Sequence, residues 1–456
     1  MLDHTNVAVL DLTHAGIIIA EKFAGLGYNV TAIDVYGTVD EDILSKMESD
    51  YGILTSKDPI HVAGFELIVS PAHLDPEYAM LADAREKGID IITHHKAVGL
   101  ILSMTGVLDG ATVIEITGSK AKTSSASLLA EMLSRKMKVI LHTSRGLELW
   151  EQGHSSTVHL GLSIAPGSIL LAVDMLAELD IAADCYILEI SIGLTGFADV
   201  GIITTLEPDY RIAASTSDAS DSKMGALSQC KPEEVFFLNA RDCKAVAKAG
   251  ENGRTFFTFS DSAEVNADLK LNFEDDSLVM DHRDVSFTSP LSSSYNYRSY
   301  ATAFAASVSV AMWMGVSTKD ISKVIGSFEG LQGRMQEKEL SGRKLIDNSN
   351  SGMDIRSAES SLDYALNKSK TESKRIIMVL GEEAAQVCEG LPPEKVSEFV
   401  MRRGNDIGQL ILVGERMQGI GGVNVAYAPG IGEGLETALE VSSQSDIILS
   451  CVKCFR

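Results

Sequence analysis

The residues best suited to chemistry lie in one run, Thr117-Gly118-Ser119-Lys120-Ala121-Lys122-Thr123-Ser124. A β-branched stretch, Val113 to Ile116, leads into it, and Ser127 to Leu133 follows with helical character. Strand, small-residue loop and helix in that order suit a nucleoside triphosphate. Backbone N–H groups and the helix N-terminus cradle the phosphates, a lysine reaches the outer ones, and a threonine hydroxyl ligates Mg²⁺. Gly118, Ser119, Lys120, Ala121, Lys122, Thr123 and Ser124 are therefore candidate ATP-binding residues. One position departs from the usual pattern, because Ala121 stands where a glycine normally precedes the lysine. On the motif alone, a strand–turn–helix that merely contains Lys-Thr is an alternative, and the rest of the chain has to decide.

The elements around this run are those of a parallel sheet. Lys138 to Ser144 reads as the next strand and carries His142; Asp184 to Ser191 reads as a buried strand that brings Glu189 to its end. A carboxylate there can bind the Mg²⁺ that bridges ATP phosphates and a reacting acid, so Thr123 and Glu189 are the candidate metal ligands. Val200 to Leu206 and Val235 to Asp242 read as further strands with polar tips. Gly146 to Gly167 is expected to be irregular, and His154 and His159 within it lack the tighter His/Cys pattern that zinc needs.

Upstream, Val7 to Leu12 reads as a strand, Thr13-His14-Ala15-Gly16 as a turn, Ile17 to Leu26 as a helix and Tyr28 to Asp34 as a second strand ending on an acid. This βαβ unit lacks the Gly-rich dinucleotide fingerprint. With strands at Phe65–Pro71 and Ile89–Thr93 and a helix at Pro76–Glu86, it implies a doubly wound, Rossmann-like sheet with its ligand edge at the strand C-termini. His14, Ser70, His73, His94 and His95 fall at that edge. Singly they are ordinary turn residues; together they suggest a polar pocket.

Downstream, Asn252 to Ser289 reads as short strands and Tyr300 to Met314 as a small-residue helix closed by Gly315. Strands at Arg375–Gly381, Gln409–Gly414 and Asp446–Ser450 imply a second Rossmann-like domain. Cys451-Val452-Lys453-Cys454 has CxxC spacing without a partner pair, which is weak ground for a metal or redox role.

Composition narrows the class. A net charge of −24 argues against a nucleic acid as the main partner. No apolar run reaches the roughly 18 residues that span a bilayer, and Met1 to Asn6 lacks the basic flank and apolar core of a signal peptide. Six cysteines scattered over 456 residues do not form a disulfide framework. A cytoplasmic protein acting on a small molecule, without membrane partner, is the expectation; the oligomeric state stays open.

The succession of motifs resembles the Mur ligase superfamily, the ATP-dependent ligases that build peptidoglycan stem peptides, with relatives such as folylpolyglutamate synthase. Thr117 to Ser124 is similar to that family's phosphate loop, Leu188-Glu189-Ile190-Ser191 to the strand bearing its magnesium-binding Glu, and Asn239-Ala240-Arg241-Asp242 to its Asn-Ala-Asp-Asp segment. Thr204 to Tyr210 resembles its Asn-x-x-x-Asp-His segment, with Tyr210 in place of a metal-binding His. Lys223 resembles the lysine that many members carbamylate to ligate a second metal, although a plain surface lysine is the alternative. Asn296 resembles an asparagine that approaches adenine. Phe328-Glu329-Gly330-Leu331-Gln332-Gly333-Arg334-Met335 is similar to the linker whose arginine reaches the γ-phosphate, and Asp347 to the acid that holds the nucleotide.

The resemblance implies a three-domain α/β architecture: residues 1–105, Rossmann-like and substrate-recognising; 106–328, a central P-loop ATPase domain; 329–456, Rossmann-like. It also implies a reaction in which a carboxylate is activated by ATP as an acyl phosphate and phosphate is then displaced. Lys122, Glu189, Arg334 and Lys223 would be catalytic, with Arg334, Asn296 and Asp347 joining the loop in binding ATP as the third domain closes. Asp11-Leu12-Thr13-His14, Leu141-His142-Thr143-Ser144 and the Cys451 to Arg456 end resemble one archaeal branch, the coenzyme F(430) synthetases. That likeness implies activation of a propionate on a nickel tetrapyrrole for ring closure onto carbon, with Thr13, His14 and His142 near the substrate. A Mur-type amide ligase acting on a nucleotide-linked or pseudomurein precursor is the second reading; a nucleotide-binding protein without catalysis is the third.

Overall fold

Apolar β-branched runs, spaced by amphipathic stretches closed with glycine, build parallel sheets here. The structure is a computed structural model and describes residues 5–370, 375–383, 390–422 and 424–454, without the side chains of His14 and Lys370. The first four residues, used above to argue against a signal peptide, and Phe455-Arg456 of the terminal motif lie outside the described residues. Two compact units form: residues 1–274, 278–288 and 301–324 in one; 275–277, 289–300 and 325–456 in the other.

In the first unit, β1 (Asn6–Leu10) runs through a tight turn into α1 (Ile17–Gly25) and β2 (Asn29–Ile33). Then come α2 (Glu41–Tyr51), β3 (Leu54–Ser56), β4 (Leu67–Ser70), α3 (Ala79–Lys87), β5 (Asp90–Thr93) and α4 (His94–Thr105). These five parallel strands lie in the order β3-β2-β1-β4-β5, so the order reverses beside β1, where doubly wound sheets hold ligands.

A second sheet starts at β6 (Thr112–Thr117), which leads into α5 (Lys122–Leu133) and β7 (Val139–Thr143). Where an irregular stretch was expected, β8 (Gly146–Glu151) and β9 (His154–Leu160) form an antiparallel hairpin. After α6 (Ser168–Glu178) come β10 (Cys185–Glu189), β11 (Val200–Ile203), the short pair β12 (Arg211–Ile212) and β13 (Ser217–Asp218), α7 (Ala219–Gln229), β14 (Val235–Asn239) and α8 (Cys243–Glu251). The sheet continues through β15 (Thr255–Ser260), β16 (Leu269–Glu274), β17 (Ser277–His282) and β18 (Val285–Pro290), and α9 (Ala301–Trp313) and α10 (Thr318–Ser327) follow. β6 sits between β11 and β10 in this eleven-stranded sheet, so the loop after it opens between two other strand ends.

The first two sheets of this unit share one core. Val9, Ile19, Val98 and Ile101 pack in the same buried cluster as Ile169, Leu170, Leu188 and Ile190. Two glycines allow the close approach: a Cβ on Gly99 would lie 2.5 Å from the Thr195 carbonyl oxygen, and one on Gly167 would lie 2.5 Å from the Ala15 methyl.

The second unit is a six-stranded sheet ordered β19-β20-β24-β21-β22-β23. Its strands are β19 (Gln336–Leu340), β20 (Arg343–Asp347), β21 (Ile376–Glu382), β22 (Gln409–Val413), β23 (Val425–Ala428) and β24 (Ile447–Lys453), with α11 (Ile355–Lys370), α12 (Pro393–Arg403) and α13 (Ile431–Val441) between them. Only β19 runs antiparallel to its neighbour. Cys451 and Cys454 are both buried, and burial pushes Cys451 up to about 12, which suits packing rather than redox exchange. No helix among the described residues is long and apolar enough to cross a membrane.

Candidate active site

β6 delivers the phosphate loop to the C-terminal edge of the central sheet. Gly118 sits at φ 144°, and a Cβ there would lie 2.0 Å from Thr204 Oγ1, so only glycine fits. That hydroxyl holds the far end of the loop by donating to the Lys120 carbonyl at 2.6 Å. The Ser119 N–H donates to the Thr205 carbonyl at 2.7 Å and the Ser119 hydroxyl to the Leu206 carbonyl at 3.0 Å. β11's exit is braced in turn: Asn239 donates to the Thr204 carbonyl at 3.0 Å, and Asp242 accepts from the Leu206 N–H at 3.0 Å. Burial raises Asp242 to about 6, against that hydrogen bond.

Ala121 takes the left-handed conformation, φ 67° and ψ −3°, that the missing glycine would adopt freely. An L-residue there carries about 1–2 kcal/mol of strain. The loop keeps the shape its motif needs despite the wrong residue.

Lys122 and Thr123 open α5. Lys122 Nζ donates to the Gly118 carbonyl at 2.9 Å and so folds back over the loop. Thr123 Oγ1 donates to Glu189 Oε1 at 3.0 Å, while Glu189 Oε2 accepts from the Ser144 N–H at 3.2 Å. Glu189 is 2% exposed, and no cationic side chain of a described residue pairs with it. A buried carboxylate without a counter-cation among the described residues, bonded to the Thr123 hydroxyl with the Ser144 hydroxyl 3.4 Å from the Thr123 oxygen, is a set of hard oxygen donors that fits Mg²⁺. Ser144 was not foreseen. Its position follows from register, because β7 pairs His142 with Leu188 and therefore ends beside Glu189.

On the loop's other flank, α7 brings Lys223 Nζ to 3.1 Å from Ser119 Oγ and 4.9 Å from the centre of the Tyr210 ring. Lys223 is 1% exposed, which corrects the surface-lysine alternative. Burial first, and then Lys122, lower it to about 8, against the pull of Asp209 and Asp242.

The residues expected at the substrate are placed unevenly. Thr13 lies exposed in the turn after β1, its hydroxyl 2.7 Å from that of Thr38; His14 is in the same turn, its side chain outside the described set. His142 is fully buried with Nε2 3.0 Å from the Ser163 carbonyl, where it anchors the stretch before α6 and faces no solvent. His94 and His95 point into the interior as well, on the Leu10 and Ser191 carbonyls at 2.8 and 2.7 Å, and burial lowers both to about 4. His73 remains at the edge of the first sheet, its Nε2 3.5 Å from the buried Asp11 carboxylate. Asp11 also accepts from the Thr13 N–H at 3.0 Å, and it too was missed.

In the second unit Asp347 ends β20 at 1% exposure and accepts from the Ser349 N–H at 3.2 Å. Arg334 and Asn296 are half-buried there. The Tyr300 hydroxyl donates to the Arg334 carbonyl at 2.6 Å and accepts from the Leu331 N–H at 2.8 Å, and Tyr295, Tyr300 and Phe328 stack edge to face behind that linker.

Comparison with known proteins fits this geometry. The family description "Mur ligase middle domain" matches residues 116–307, and "Coenzyme F430 synthetase CfbE, C-terminal domain" matches residues 337–454. The coenzyme F(430) synthetase of Methanosarcina acetivorans is 49% identical, with 99% of each chain covered. The chain belongs to the coenzyme F(430) synthetase family. The member of that family from Methanocaldococcus jannaschii is 26% identical over 89% of this chain and 90% of its own. The fold is that of the Mur ligases: MurF from Thermotoga maritima, solved with ADP, superposes with a TM-score of 0.56 at 14% identity, covering 92% of this chain and 90% of its own. As a coenzyme F(430) synthetase family member, the chain is an ATP-dependent ligase, which sets aside the reading without catalysis.

Proposed function

We propose that this enzyme activates a propionate side chain of seco-F(430), a nickel tetrapyrrole, and closes it onto a ring carbon with release of ADP and phosphate. The observation that carries the reading is the buried Thr123–Glu189 pair beside the phosphate loop, in a chain 49% identical throughout to a coenzyme F(430) synthetase.

In the reaction a propionate oxygen attacks the γ-phosphorus of ATP, the bond to ADP breaks, and an acyl phosphate forms. A substrate carbon then attacks the acyl carbon, losing its proton as the C–C bond forms and phosphate leaves. The protein positions the groups and stabilises charge. Backbone N–H groups of the phosphate loop other than that of Ser119, which the Thr205 carbonyl holds, would face the phosphates, and Lys122 turns from the Gly118 carbonyl to an outer phosphate oxygen. Thr123 and Glu189 would hold Mg²⁺, which supplies positive charge against the phosphate oxygens when bound. Arg334, Asp347 and Asn296 keep the roles their motifs imply, the arginine on the γ-phosphate and the other two on the nucleoside. The macrocycle is assigned to the first-sheet edge, residues 1–105, with Thr13 and His14 near it. Residues 106–328 hold ATP and 329–456 the closing domain. A reaction that consumes ATP belongs in the cytoplasm.

The test supplies purified enzyme with ATP, Mg²⁺ and either seco-F(430) or nucleotide-linked acids with amino acids. Phosphate release with seco-F(430) alone, and a product lighter by one water, is expected. Release that requires an amino acid would replace this reading with the amide ligase. Lys122→Ala and Glu189→Ala should each abolish turnover, and activity in both would remove the phosphate-loop assignment.

A further inference from the structure

We propose that Lys223 acts as an unmodified ammonium that holds an oxygen of the transferred phosphoryl group, taking the place of a second metal ion. This rests on the ATP-site reading above. Three observations carry it. First, Lys223 is buried and no carboxylate lies within ion-pair distance of it among the described residues, so its charge awaits an anion. Second, the hydrogen bonds around it are those of a cation. The Ser119 hydroxyl directs its single hydrogen to the Leu206 carbonyl, so toward Lys223 it can only accept, and an ammonium has hydrogens to donate.

Third, the Tyr210 ring, 4.9 Å from Nζ, presents a face that attracts a cation and repels an anion. A carbamate on Lys223 would place negative charge against that face, with the Asp209 carboxylate also nearby. Tyr210 thus does more than remove a metal-binding imidazole. It favours the state of its neighbour that makes a second metal unnecessary. Lys122 and Lys223 then both reach the Gly118–Ser119 corner, a pair of cations suited to the negative oxygens of a phosphoryl group in transfer.

The experiment uses ¹³C-bicarbonate. Wild-type enzyme incubated with the label should give no carbamate ¹³C resonance, and turnover with seco-F(430) should be equal in CO₂-free and bicarbonate-supplemented buffer. Lys223→Met should reduce kcat about 100-fold. A carbamate resonance that Lys223→Met lacks, or turnover restored by bicarbonate, overturns the proposal. So does wild-type turnover in folded Lys223→Met. Should that variant fail to fold, the labelling of the wild-type enzyme still decides. Glu189→Gln run in parallel separates the two claims: if it stays active the ATP-site reading itself fails, whatever the carbamate result.

Discussion

At the scale of single residues, the site combines one strained position with two buried charges that lack ion-pair partners among the described residues. Ala121→Gly removes the left-handed strain and returns some chain entropy to the unfolded state, so it should stabilise the protein by about 0.5–1 kcal/mol in denaturant unfolding. Glu189→Gln removes a buried carboxylate that has no counter-cation among the described residues. It should leave the free protein at least as stable in thermal melts while abolishing turnover. Lys223 gives a pH signature. Its ammonium, held to about 8 by burial and Lys122 against Asp209 and Asp242, is present below that value and lost above it, and the Tyr210 ring lies alongside. The ratio kcat/KM for ATP should therefore fall as pH rises through about 8, and Lys223→Met should lack that limb. Lys122, Thr123 and Glu189 were legible because a strand end followed by a small-residue loop or a lone acid is a local pattern. Ser144 and Asp11 were not, since their partners are set by which strands pair and how turns fold.

Among the elements, the linker before β19 and the paired strands β6 and β11 deserve separate tests. Tyr300 ties the linker through Leu331 and Arg334, so Tyr300→Phe should cost about 1–2 kcal/mol in unfolding experiments and lower kcat more than it weakens ATP binding. Glu115 on β6 and Glu234 just before β14 lie in one buried region; burial raises them to about 7 and 8, and Glu115 adds to the rise of Glu234. From the ordinary 4.5 up to about 8 the folded state therefore binds more protons than the unfolded one, so stability should fall with rising pH across that window and level off beyond it. Glu234→Gln should flatten much of that slope. The β-branched runs of β6, β10, β11 and β21 were legible because strands buried on both faces read as continuous apolar stretches. The β8–β9 hairpin escaped notice because β9 is almost wholly exposed and shows no apolar alternation.

For the molecule as a whole, the fold class was legible from motif order, while the merging of the first two sheets into one core was not. That core depends on contacts between α4, α6 and the stretch after β10 that only the folded chain brings together. Gly99→Val, driven against the Thr195 carbonyl, should destabilise the protein by about 1–3 kcal/mol and reduce turnover through the displaced Glu189 exit. The histidines show the same limit. His14, His73, His94 and His95 were read with Ser70 as one edge pocket, yet His94 and His95 serve the interior, as does His142 on the central sheet, and of the described rings in that edge set His73 alone stays there. The central claim is that a substrate carboxylate is phosphorylated by ATP before the ring closes. Seco-F(430) carrying ¹⁸O in both oxygens of the reacting propionate tests it directly. One ¹⁸O atom in each released phosphate, with the other retained in the ring ketone, is the predicted result. Unlabelled phosphate from a reaction that still closes the ring would contradict it.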